Sequence, residues 1–132
     1  MNPEKRPQKA STSSSTSYKI YPTSNFISEA KKLKKKYPNI GGDFAELQKQ
    51  LKKDPITGND NLGQDCYKVR MPISDKGKGQ SGGARVIIEV KVVDKKVYVL
   101  SVYDKADKGT IFDRELEDAL KKRLKEFPDK KK

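Results

Sequence analysis

"ARVIIEVKVVDKKVYVLSVYDK", residues 84–105, is the stretch on which the fold turns. Its two halves, 84–93 and 96–105, are dense in Val, Ile and Tyr, side chains that suit a pleated and buried backbone. The apolar run breaks near Asp94 and Lys95, which predicts a tight turn and therefore a β-hairpin. Upstream, "CYKVRMPI" at 66–73 alternates, with Tyr67, Val69, Met71 and Ile73 on one face and Cys66, Lys68 and Arg70 on the other. Three strands in succession predict an antiparallel meander, with helices packed on one face and the other face partly open.

Between the first two of these strands lies "SDKGKGQSGGAR", residues 74–85. Gly77 and Gly82 have the glycine spacing of a phosphate-binding P-loop, G-x-x-x-x-G-K-[ST]. Gly83 and Ala84 stand where the Lys and the Ser or Thr belong, however, and the segment runs into a strand rather than a helix N-terminus. The loop is therefore expected to connect two strands and to present Lys76 and Lys78 to a polyanion, without binding a nucleoside triphosphate.

Further upstream the period changes to that of a helix. Phe26, Ala30, Leu33 and Tyr37 recur on one helical face, Pro38 interrupts, and Ile40, Phe44, Leu47 and Leu51 repeat the pattern. Residues 25–53 thus predict a helical hairpin, with Lys31, Lys32 and Lys34 to Lys36 on its solvated side. "YKIYP" at 18–22 reads as a short first strand ended by Pro22. Downstream, Leu116, Leu120 and Leu124 predict a closing helix from about Ile111. The fold class is therefore α+β: strand, helix, helix, a three-strand antiparallel meander and a C-terminal helix, over 18–126. Residues 1–17, with seven Ser or Thr between Ser11 and Ser17, are expected to be a disordered basic tail, and 127–132 a second basic tail.

The chain of 132 residues carries 30 Lys and Arg against 18 Asp and Glu, a net charge of +12, so polyanions are its natural partners. No apolar run approaches membrane-spanning length and no export signal opens the chain, which places it in the cytoplasm. Histidine is absent and Cys66 is the one cysteine, so imidazole triads, an internal disulfide and the common zinc sites cannot be built. Cys66 is expected to be a buried structural thiol.

"DCYKVR", followed by "ARVII", "VYVLSVYDKAD" and a closing helix, resembles the RelE/HigB/ParE superfamily of toxins from type II toxin–antitoxin systems. The resemblance spans about 18–125 and implies a RelE-like fold. It also implies a metal-independent, cofactor-free endoribonuclease that cuts mRNA, commonly on the ribosome, inhibits translation and arrests growth. A cognate antitoxin, acidic where it meets the cationic face, is implied as partner. Carried over, Lys68, Arg70 and Arg85 are the catalytic residues, and Lys105 follows the last strand as a substrate-binding cation. The family's tyrosine near the start of the final helix has no counterpart, since Ile111 and Phe112 stand there. Phe112 is placed to stack on an unpaired base, and Tyr103 is read as core.

Such a set can cleave RNA without histidine. The 2′-hydroxyl is the nucleophile, a base removes its proton, and cations stabilise the charge growing on phosphorus oxygens. Arg70 and Arg85 suit the last task, because a guanidinium fork matches phosphate and keeps its charge. Lys68, beside Arg70 and Arg85, suits the first if those cations depress its pKa. Two alternatives share the fold class: a ParE-like inhibitor of DNA gyrase, and a non-catalytic nucleic-acid-binding protein.

Overall fold

The computed structural model describes residues 17–77 and 82–129. In chain order they form β1 (Lys19–Pro22), α1 (Ser24–Lys36), α2 (Ile40–Lys53), β2 (Asp60–Gly63), β3 (Cys66–Met71), a 3-10 turn (Ser74–Lys76), β4 (Ala84–Lys91), β5 (Lys96–Asp104) and α3 (Asp113–Glu126). Most of the tail expected at 1–17, and Lys78 of the glycine loop, lie outside the described residues.

The hairpin at 84–105 forms the centre of a five-stranded sheet ordered β1-β5-β4-β3-β2. Its side chains are buried on both faces, as continuous apolar strands require. β3, β4 and β5 pair antiparallel, whereas β1 pairs parallel with β5 across the α1–α2 crossover. The β4–β5 ladder slips at Ile87/Ile88, where Leu100 has no cross-strand partner. Glu29 of α1 secures this bulge by accepting from Ser101 Oγ at 2.7 Å and Val102 N at 3.1 Å.

Two expectations are corrected. β2 escapes notice in the sequence because "DNLG" neither alternates nor favours strands. It forms because Gln64 and Asp65, at φ 54° and 64°, make a two-residue turn whose twist suits a hairpin. Helices also cover both faces rather than one. α1 and α2 pack Leu33, Tyr37, Ile40, Leu47 and Leu51 against Val86, Ile88, Val97 and Val99. α3 packs Leu116 and Ala119 against Cys66, Ile87, Tyr98 and Leu100 on the other side. An unbroken Val/Ile run sends apolar side chains both ways, so both faces need cover.

The helix pair breaks at Pro38, as its spacing predicts, and Thr23 caps α1 by accepting from Phe26 N at 3.2 Å. α3 starts at Asp113 and is rotated from the expected leucine stripe: Leu116, Ala119 and Arg123 are buried and Leu124 is 43% exposed. The cause is Arg123, 1% exposed, whose Nε and Nη2 donate to the two carboxylate oxygens of Glu89 at 2.7 and 2.8 Å. Its Nη1 donates to Phe127 O and Asp129 Oδ1, which draws the start of the expected C-terminal tail back onto the fold. Among the described residues no helix is long and apolar enough to cross a membrane.

At the other end of the sheet, buried Asp104 gathers three elements. Its carboxylate accepts from Tyr37 Oη at 2.6 Å, Lys76 Nζ at 2.5 Å and Ala106 N at 2.9 Å. Gly83 lets the returning strand pass β3, since a Cβ there would lie 2.2 Å from Met71 O. Gly83→Ala is therefore expected to cost about 1–3 kcal/mol, read as a lower denaturant midpoint.

Burial pushes the Asp104 carboxyl up, but the bonds from Lys76, Tyr37 and Ala106 outweigh it and hold the group down to about 2. A folded-state value below the unfolded one stabilises fully above pH 4, and that stabilisation disappears as pH falls towards 2. Between pH 5 and pH 2 the wild type is expected to lose roughly 2 kcal/mol more than Asp104→Asn in chemical denaturation, whereas parallel loss would contradict the assignment.

Candidate nucleic-acid interface

β-register assembles the cationic residues. Arg70 of β3 lies directly opposite Arg85 of β4, and Arg85 lies opposite Tyr103 of β5, so the three form one lateral row. Directly opposed residues share a face, and this is the face α3 covers. Lys68 stands two residues before Arg70 and so shares that face. The sequence-predicted trio Lys68, Arg70 and Arg85 is thus brought together by strand pairing.

Their environments differ. The Arg70 side chain is half-exposed, that of Lys68 is mostly covered, and Arg85 is buried. Arg85 Nη1 donates to Ala84 O at 3.2 Å. Burial, then the Arg70 charge, lowers the Arg85 pKa, while Tyr103 and Asp60 oppose the shift. Arginine keeps its charge under such a shift, and a buried cation is the stronger partner for an anion that reaches it. Arg70 also lines a cleft of about 420 Å³ with Gln50, Thr57 and Asn59.

Asp60 is the residue that sequence reasoning missed. One carboxylate oxygen lies 3.7 Å from Lys68 Nζ and 3.8 Å from Arg70 Nη2. β2 places it there, pairing Asp60 with Lys68 around the Gln64–Asp65 turn. Recognising that turn from the left-handed positions after Gly63 is the signal that would have found it.

The remaining expectations divide. Lys105 is exposed where β5 ends, its backbone N bonded to Gly83 O at 3.1 Å. Phe112, 66% exposed, immediately precedes α3, and its backbone N donates to Glu115 Oε1 at 3.0 Å. Lys76 is a correction: its ammonium is taken up by Asp104 and by Gly82 O at 2.9 Å, and its side chain is only 12% exposed. A cation committed to a buried carboxylate is not presented to a polyanion. Cys66 is fully buried, and burial first, then Glu89 and Asp65, push its thiol up to about 12, so it stays an unreactive thiol near neutral pH.

Tyr103 is 8% exposed, and its hydroxyl has no hydrogen-bond partner among the described residues. Lys108 Nζ lies 5.2 Å from the ring centroid and pairs with Glu115. Burial raises the phenol pKa, aided by Glu115 and opposed by Arg85, so Tyr103 keeps its proton at neutral pH.

Comparison with known proteins gives one family model, described as the RelE toxin of the RelE/RelB toxin–antitoxin system, matching residues 18–131. Among solved structures, the chain is similar to a free-state double arginine-to-alanine mutant of E. coli toxin RelE. That match has 18% identity and a TM-score of 0.52, covering 84% of this chain and 98% of the other. It is also similar to a chain of the toxin–antitoxin complex RelBE2 from Mycobacterium tuberculosis, at 18% identity and TM-score 0.53, covering 70% of this chain and 95% of that one. At such identity these likenesses bear on the fold. A comparison with curated proteins gives no match.

Asp60 competes with any phosphate for Lys68 and Arg70. Asp60→Asn is expected to tighten binding of a single-stranded RNA oligonucleotide about threefold at low salt, by fluorescence anisotropy, with the gain shrinking as salt rises. Unchanged or weaker binding would mean that phosphate does not seat there.

Proposed function

We propose that this chain, which belongs to the RelE toxin family, is an endoribonuclease toxin that cuts mRNA and so inhibits translation, with a cognate antitoxin protein as its partner. The observation that carries the proposal is the alignment of Arg70 with Arg85 across β3 and β4, with Lys68 beside them. Two guanidinium groups on adjacent strands make a forked anion site suited to one phosphate.

In this mechanism RNA supplies its own nucleophile. The 2′-oxygen attacks phosphorus, the P–O5′ bond breaks, the departing 5′-oxygen takes a proton from water to become a hydroxyl, and a 2′,3′-cyclic phosphate remains on the upstream product. Lys68 takes the 2′-proton. Arg85 and Arg70 bind the non-bridging oxygens as they gain charge, a contribution that grows towards the transition state. Phe112, exposed before α3, offers a stacking surface for a base, and Lys105 an outer phosphate contact. The antitoxin is acidic where it covers and so blocks this face, and the free toxin works in the cytoplasm, with the ribosome presenting the message.

A non-catalytic reading draws on one observation, the Asp60 carboxylate 3.7 Å from Lys68 Nζ, an ion pair that engages the side chain cleavage would use. Primer extension on cellular mRNA after brief induction separates the two. The wild type is expected to produce new 5′ ends within translated messages, and Lys68→Ala and Arg70→Ala to reduce them about 10²–10⁴-fold at matched protein levels. Neither side chain belongs to the apolar cores, so both variants are expected to fold. Growth arrest with intact mRNA would overturn the ribonuclease and point to gyrase inhibition or simple binding.

A further inference from the structure

The Tyr103 hydroxyl lacks a structural task. A buried hydroxyl without a partner forfeits its bonds to water, a loss of about 1–3 kcal/mol that phenylalanine would avoid with the same ring. The ring itself packs with Leu100, Ile87 and Leu116 in the second core. The oxygen, by contrast, is without a hydrogen-bond partner among the described residues. Its position is specific: Tyr103 is the cross-strand neighbour of Arg85, itself the neighbour of Arg70, so Tyr103 belongs to the same row, and its phenol feels the Arg85 charge.

The cover over Tyr103 is a long, flexible side chain. Lys108, from the connection between β5 and α3, sets its ammonium above the ring and pairs with Glu115 on the first turn of α3. The Lys108 side chain is 30% exposed and that of Glu115 42%, so the pair sits at the surface and is weak. A phosphate reaches the phenol only by drawing this lysine aside.

On the reading of this chain as a ribonuclease, we propose that Tyr103 is a further catalytic residue, donating a hydrogen bond from its hydroxyl to a non-bridging oxygen of the scissile phosphate beside Arg85. No proton leaves the phenol, and the bonds made and broken are those of the 2′-oxygen attack. The donor is neutral, so it supplies directionality where Arg85 supplies charge. Tyr103 stands on β5, at a different sequence position from Ile111 and Phe112, where the family tyrosine is lacking.

Tyr103→Phe separates this role from packing, because the two predict opposite combinations. A donor to the transition state predicts cuts in mRNA that accumulate about 100-fold more slowly after induction, with a melting temperature of the purified variant equal to or above that of the wild type. A cut rate within twofold of the wild type overturns the assignment while leaving the ribonuclease intact, and so does a slower rate accompanied by a lower melting temperature. Absence of cuts by the wild type itself overturns both together.

Discussion

The ion pair between Glu89 and Arg123 is the constraint on which the three-layered arrangement, a sheet with helices on both faces, depends. Glu89 sits on central β4 and is 3% exposed, so its carboxylate is costly to bury without a matched cation. Arg123 answers with a two-pronged contact, spends Nη1 on Phe127 O and Asp129, and lays its guanidinium 4.4 Å from the Tyr98 ring centroid. Tyr21, Tyr98 and Phe127 close around it at centroid separations of 5.5 to 5.7 Å. One turn on, Glu126 accepts from Ser24 N and Oγ, so α3 also holds the start of α1. Loss of either charge would leave its partner buried and unpaired, a larger penalty than the pair is worth in itself.

Asp104 performs the corresponding task at the opposite end of the sheet. It fastens α1 through Tyr37, the 3-10 turn through Lys76 and the strand exit through Ala106. The glycine loop is thereby held at its described ends. Gly77 closes the 3-10 turn in the left-handed region and Gly83 permits the close passage of β3 and β4. Those glycines serve backbone geometry, and Lys76 serves the fold.

The clamps at the two ends bear on chemistry through what lies between them. α3 is seated over Tyr98, Leu100 and Ile87, and the Arg70, Arg85 and Tyr103 row crosses the same face from the β3 side. Along the row exposure falls from half-exposed Arg70 to buried Arg85 and Tyr103, so the available donors pass from solvated to desolvated. A ligand anion that reaches the inner end meets weaker screening than one at the rim. Asp60 tempers the outer end, pairing with both Lys68 and Arg70.

Much of this was legible in the sequence. Alternation marked β3, dense Val, Ile and Tyr runs marked β4 and β5, the helical period and Pro38 separated α1 from α2, and "DCYKVR" with "ARVII" singled out Lys68, Arg70 and Arg85. These signals are local: alternation and spacing are properties of a single segment and survive without knowledge of its neighbours. Tertiary structure alone decided the rest. β2 has no propensity of its own and exists through its turn and partner. Arg123 looks like one more cation in "KKRLKEF" until Glu89 is seen across the core, and Lys76 looks like a displayed charge until Asp104 is. Asp60 beside Lys68, and Tyr103 opposite Arg85, follow from strand register. Charge pairing and hydrogen-bond satisfaction depend on distances between residues far apart in the chain, and pairing of distant strands is what sets those distances.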